Sequence, residues 1–170
     1  MSKKDLKKYL RSLEKDQLEE QLLELYDKFD NVRTFYNFAF DPKEDKLIGE
    51  AKFRISKEYF PQKHRKAKAR RSVAQNQIRH FLQLGVDPNL IADVMLFNIE
   101  IAQTFSSDKN NVAEAFSKSI YRSFEQAVNY IHQNALTSEF ITRIQKIKAE
   151  AGEQKWPNLY QFEKLTGQFD

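Results

Sequence analysis

From Leu6 to Leu165 the apolar residues recur three and four positions apart, and hardly a stretch of alternating hydrophobicity interrupts them. That spacing places side chains on one face of a helix and excludes a pleated sheet as the organising element. Glycine and proline number four each in 170 residues, too few for the turns of an all-β chain or for a low-complexity segment. The expectation is an all-α fold of seven to eight helices, either a single irregular bundle or a short helix-pair array. One helical domain is expected over residues 1–170.

Punctuation locates the helices. Ser2 suits the cap of a first helix bearing Leu6, Leu10 and Leu13. Asp16-Gln17-Leu18-Glu19 has capping-box spacing, and Leu18, Leu22, Leu25, Tyr26 and Phe29 follow as one stripe that continues to Phe40, with a kink near Asp30. In Asp41-Pro42-Lys43-Glu44, Asp41 reads as a cap and Pro42 as a first helical residue. Asp87-Pro88 repeats that start after Gly85, a natural left-handed stop. Helices over 73–84 and 89–105 are expected at the centre, the second because it is apolar on most sides. Further helices are read over 112–134, from Thr137 or Ser138 to Gly152, and from Trp156 onward. Six aromatic rings between Tyr26 and Phe40 read mainly as core, with Phe38 off the stripe and turned toward a partner.

Several chemistries are excluded by composition. Without cysteine there is no disulfide framework, thiolate nucleophile or zinc finger. The glycines, at 49, 85, 152 and 167, are too scattered for a phosphate-cradling loop. His64, His80 and His132 share no metal-ligand spacing, and His80 and His132 read as partly buried helix residues. No catalytic residue, metal or cofactor is therefore expected. No apolar run reaches a membrane-spanning length, and Met1-Ser2-Lys3-Lys4-Asp5 does not open a signal peptide, so a cytoplasmic location without membrane contact is expected.

Two features carry the functional reading. Pro61 to Arg71 holds six cations, Lys63, Arg65, Lys66, Lys68, Arg70 and Arg71, and no carboxylate. The chain as a whole is +4, so its basic character is local to this segment. Self-repulsion and Pro61 predict an exposed basic loop over 61–71. Its functional reading is contact with RNA or DNA phosphates, with Tyr59, Phe60 and His64 at hand for stacking on unpaired bases. The plainer reading pairs its arginines with acidic helix faces such as Glu14 to Glu24.

The second feature is a polar stripe on the central helix. Asp93 and Glu100 stand seven residues apart, hence on one line of the helix, with Gln103 and Thr104 beside them. The plainer reading is a strip of surface, or ion pairs with Arg70, Arg71 or Arg79 from the preceding helix. The sharper one is a pair of carboxylates doing acid–base work or holding a divalent metal, for which two are too few to make a cage. The leading expectation is a non-enzymatic binding protein meeting nucleic acid. A protein–protein adaptor with an aromatic or acidic helix face comes second, and an enzyme using Asp93 and Glu100 third.

Leu6-Lys7-Lys8-Tyr9-Leu10, Ala67-Lys68-Ala69-Arg70-Arg71-Ser72-Val73-Ala74-Gln75, Leu84-Gly85-Val86-Asp87-Pro88 and Asn98-Ile99-Glu100-Ile101-Ala102 together resemble an uncharacterised family of small helical bacterial proteins, a domain of unknown function. The resemblance spans most of the chain. It implies a bacterial, soluble, all-helical protein and carries no activity or catalytic residue set with it.

Overall fold

The computed structural model describes residues 1–63, 65–108 and 112–167. Among these residues there are nine α-helices and no strand. They are α1 (Lys3–Leu10), α2 (Lys15–Lys28), α3 (Asp30–Phe40), α4 (Glu44–Tyr59), α5 (Arg71–Leu84), α6 (Pro88–Ser106), α7 (Glu114–Gln133), α8 (Thr137–Glu153) and α9 (Leu159–Thr166). The count exceeds the expected seven to eight because the stripe from Leu18 to Phe40 is two helices. Phe29 takes an extended conformation (φ −122°, ψ 113°) and so ends α2 and begins α3.

The helices form two compact units, residues 1–43 and 44–170. In the first unit Ser2 caps α1 as the sequence predicts. Its hydroxyl accepts the Asp5 N–H at 3.2 Å, and the Asp5 carboxylate accepts the Ser2 N–H at 2.9 Å. The α2 box is shifted from its expected place: Glu14 is the cap, and Gln17 accepts its N–H at 3.0 Å. Helix α2 packs on α3, where Tyr26 Oη donates to Asn37 Oδ1 at 2.9 Å and the Arg33 guanidinium lies over the Tyr26 ring. Phe38 is half-buried, and Phe40 is the outward ring of this group at 85% exposure.

The second unit is built around α6. This helix touches α4, α5, α7 and α8, and it buries Ile91, Ala92, Val94, Leu96, Ile99 and Ala102 almost completely. A helix apolar on most of its faces needs neighbours on most of them. Helix α5, also expected at the centre, packs through a single face made of Ala74, Ile78, Phe81 and Leu84. Helix α9 closes the far end, with Phe162 stacked on Phe124 at 4.8 Å between centroids and edge-on to Trp156 at 5.8 Å.

The α5–α6 corner follows the sequence closely. Gly85 is left-handed (φ 76°), Asp87 accepts the Asn89 N–H at 2.7 Å, and Pro88 is the first helical residue. The matching start at Asp41 does not form. Helix α4 begins at Glu44, Asp41 instead pairs with Lys43, and the Glu44 carboxylate accepts the Asp87 N–H at 2.9 Å across 43 residues. Thr137 likewise opens α8 from inside the helix without capping it. No helix among the described residues is long and apolar enough to cross a membrane.

Candidate nucleic-acid interface

The described residues from 61 to 70 belong to the largely exposed connection between α4 and α5, and Arg71 is already the first residue of α5. His64 lies outside the described residues. What shapes the segment is Glu58, in the last turn of α4. Its carbonyl oxygen accepts the N–H groups of Lys68 at 3.0 Å and Ala69 at 2.9 Å. Its carboxylate accepts Arg70 Nε at 2.9 Å and Nη2 at 2.8 Å, the forked geometry in which a guanidinium matches a carboxylate. One residue therefore ties the end of the loop to the end of the preceding helix. The hydrogen bond from Arg70 holds the Glu58 carboxyl below its ordinary range, with the charges of Arg70 and Lys68 adding to the effect. Lys63 (φ 59°) and Ala69 (φ 48°) are left-handed, which costs about 1–2 kcal/mol for a residue with a Cβ. The bonds to Glu58 offset that cost at Ala69.

Beneath the loop lies a hollow of about 370 Å³ lined by Lys57, Glu58, Pro61, Gln62, Lys63, Arg65, Lys66, Lys68 and Arg70. Six of these nine residues are cations and one is an acid, and that acid is occupied by Arg70. Lys63, Arg65, Lys66 and Lys68 are exposed and make no ion pair among the described residues. Lys57 joins them from α4, its ammonium 4.0 Å from the centre of the Phe53 ring.

The six predicted cations thus divide. Four face solvent around the hollow, while Arg70 and Arg71 are committed to the fold. Arg71 donates to Ser123 Oγ at 2.9 Å and to Gln126 Oε1 at 2.7 Å on α7. Arg79 lies apart, lining a second hollow with Gln75, Met95, Gln126 and Tyr130. Of the expected stacking rings, Tyr59 is buried, and burial together with Glu58 pushes its hydroxyl up to about 12. Phe60 remains half-exposed, with its ring nearly perpendicular to that of Phe105.

Asp93 and Glu100 do share one line of α6, but none of the three expected arginines reaches them. Arg143 of α8 does, donating Nη1 to Asp93 Oδ1 at 2.8 Å, Nε to Glu100 Oε1 at 2.9 Å and Nη2 to Glu100 Oε2 at 2.8 Å. Lys52 of α4 bonds the other Asp93 oxygen. Burial raises the Asp93 carboxyl, and the hydrogen bonds from Lys52 and Arg143 outweigh it, so the group lies below its ordinary value. Both carboxylates are paired with cations, the state a partly buried acid requires, and α6 is thereby clasped to α4 and α8. The rest of the stripe is also engaged. Gln103 Nε2 donates to the Ile147 carbonyl at 2.8 Å, and Thr104 bonds back to the Glu100 carbonyl at 3.0 Å. No group of three or more acidic or histidine side chains among the described residues has metal-binding geometry. His80 is half-buried beside Phe81, whereas His132 is exposed rather than partly buried.

Two residues central to these arrangements were not singled out by the sequence reading. Glu58 could have been found as the acid immediately before a run without acids. Arg143 had no such signal, because it lies 43 residues from Glu100 and only the packing of α8 on α6 brings it there.

No curated protein and no solved structure matches the chain. The family of unknown function DUF6155 matches it over residues 1–170, and the chain belongs to that family.

Proposed function

We propose that the protein is a cytoplasmic, non-enzymatic binding protein that holds the phosphates of single-stranded RNA or DNA in the hollow under residues 61–70. The observation that carries this reading is the charge lining of that hollow. Lys57, Lys63, Arg65, Lys66 and Lys68 surround it, and the one carboxylate among its described lining residues is consumed by Arg70. Like charges held this close repel one another, and a polyanion relieves that repulsion while releasing its own counterions. The anchoring of Lys68 and Ala69 on Glu58 lowers the ordering cost of binding, since that end of the loop is already placed. Phe60 is the ring available to a base.

Recognition of this kind is weakly sequence-selective, because phosphate contacts position a strand without reading it. Four unpaired loop cations imply a slope of log K against log salt of roughly −3 for a single strand. Fluorescence anisotropy of a labelled 12-nucleotide RNA, and of the same sequence as DNA, across a salt series measures this. Changing Lys63, Arg65, Lys66 and Lys68 together to Gln should remove most of the affinity and leave the helical circular dichroism intact. Equal binding by the wild type and this variant would overturn the proposal.

A further inference from the structure

Residues 1–43 show a mismatch between pattern and burial. Leu6 and Leu10 on α1 stand four apart, and Leu22 and Leu25 on α2 stand three apart, the seam spacing of helices that pair. All four are exposed, Leu22 by 47% and Leu25 by 43%, as is Phe29 at the end of α2, and no residue of α1, α2 or α3 is buried. A unit of this size without a core lacks the apolar burial that offsets the ordering of its helices. The described residues of 44–170 present no matching seam. Among the described residues their exposed large apolar side chains are Phe53, Phe60, Leu82 and Tyr160, which stand on separate elements.

Charge identifies the occupant. Residues 3–11 carry five Lys or Arg against the single acid Asp5, whereas residues 14–30 carry seven carboxylates against Lys15 and Lys28. The unit therefore holds one basic and one acidic helix, each with an apolar seam. Within the unit these helices join through Gln21 Nε2 and Tyr9 Oη at 2.8 Å, and both seams stay uncovered there. A second copy supplies the complement twice over. We propose that the protein forms a two-fold dimer through residues 1–43, the basic α1 of each copy lying along the acidic α2 of the other. This interface is independent of the basic loop and of what that loop binds.

Light scattering on the full chain at about 50 μM should give twice the 20.1 kDa chain mass. The variant Lys4→Glu/Lys7→Glu/Lys8→Glu places acid against acid, and Glu19→Lys/Glu20→Lys/Glu24→Lys places base against base. Each should be monomeric with its helical circular dichroism retained. An equimolar mixture of the two should return to the dimer mass, because every α1–α2 contact between unlike chains again joins opposite charges. Carbodiimide cross-linking of isotope-labelled with unlabelled wild type needs no variant, and should join Lys7 or Lys8 of one copy to Glu20 or Glu24 of the other. A monomeric wild type overturns the proposal and leaves the seams to residues 44–170 or to a different protein. So do a variant that still dimerises, a mixture that stays monomeric, or cross-links confined within single chains.

Discussion

Arg143 holds Glu100 by both edges of its fork, Nε to Oε1 at 2.9 Å and Nη2 to Oε2 at 2.8 Å, and uses its remaining terminal nitrogen on Asp93. The three side chains are about one-third exposed or less, so the cluster is only partly screened by water. Truncating Arg143→Ala leaves Asp93 with Lys52 alone and Glu100 without an ion-pair partner. We expect a loss of about 1–3 kcal/mol, set below the range for fully buried pairs because water still reaches the group. Asp93→Asn and Glu100→Gln should each cost about 1 kcal/mol. A double-mutant cycle between Arg143 and Glu100 by urea denaturation checks the coupling. Additive losses would show that the fork contributes little.

Acid should unfold the protein partly through Asp93 and Glu58. Both carboxyls lie below their ordinary values of 3.8 and 4.5 in the folded chain. A depressed carboxyl binds its proton more readily once unfolded, so it contributes stability that is complete above its ordinary value. That contribution is lost as pH falls from there through the folded value. Stability measured between pH 3 and pH 7 should therefore fall at the acid end, and Asp93→Asn should flatten that fall. An unchanged acid limb in the variant would rule out this assignment.

Glu58→Gln separates folding from binding. The variant weakens the fork to Arg70, and because Arg70 is more than half exposed the loss of stability should be small. On the proposed function the same change frees one more cation and removes the one carboxylate among the hollow's described lining residues. Affinity for the labelled RNA should rise and the salt slope should steepen by about 0.7. Lower stability together with lower affinity would mean that Glu58 shapes the binding loop more than it neutralises it.

Two glycines should respond oppositely to alanine. Gly85 is left-handed, so Gly85→Ala should destabilise by about 1 kcal/mol, although no atom lies within 4 Å of the added Cβ. Gly49 lies inside α4 with the same open space and an ordinary helical backbone, and Gly49→Ala should stabilise by about 0.5–1 kcal/mol. Thermal denaturation of the two single variants tests both signs.

How much of the molecule could be read from its sequence depended on the range of the forces involved. The Asp87-Pro88 start, the Gly85 stop, the Ser2 cap and the burial of α6 follow from interactions within a few residues, and they are where periodicity and capping rules place them. Asp41 shows the limit of such rules. Its motif is as good as that of Asp87, yet Glu44 is drawn to the Asp87 N–H and the helix begins three residues later. The exposure of Lys63, Arg65, Lys66 and Lys68 was legible because mutual repulsion opposes packing a run of cations without an acid. The division of those cations was not, since Glu58 and Gln126 select Arg70 and Arg71 through distances that only the folded chain sets. Likewise the sequence by itself determined that Asp93 and Glu100 share one line of a helix, because the helical repeat dictates it. Which cation meets them was decided by tertiary structure alone. The packing of α8 and α4 on α6 places Arg143 and Lys52 against carboxylates that are too buried to stand unpaired.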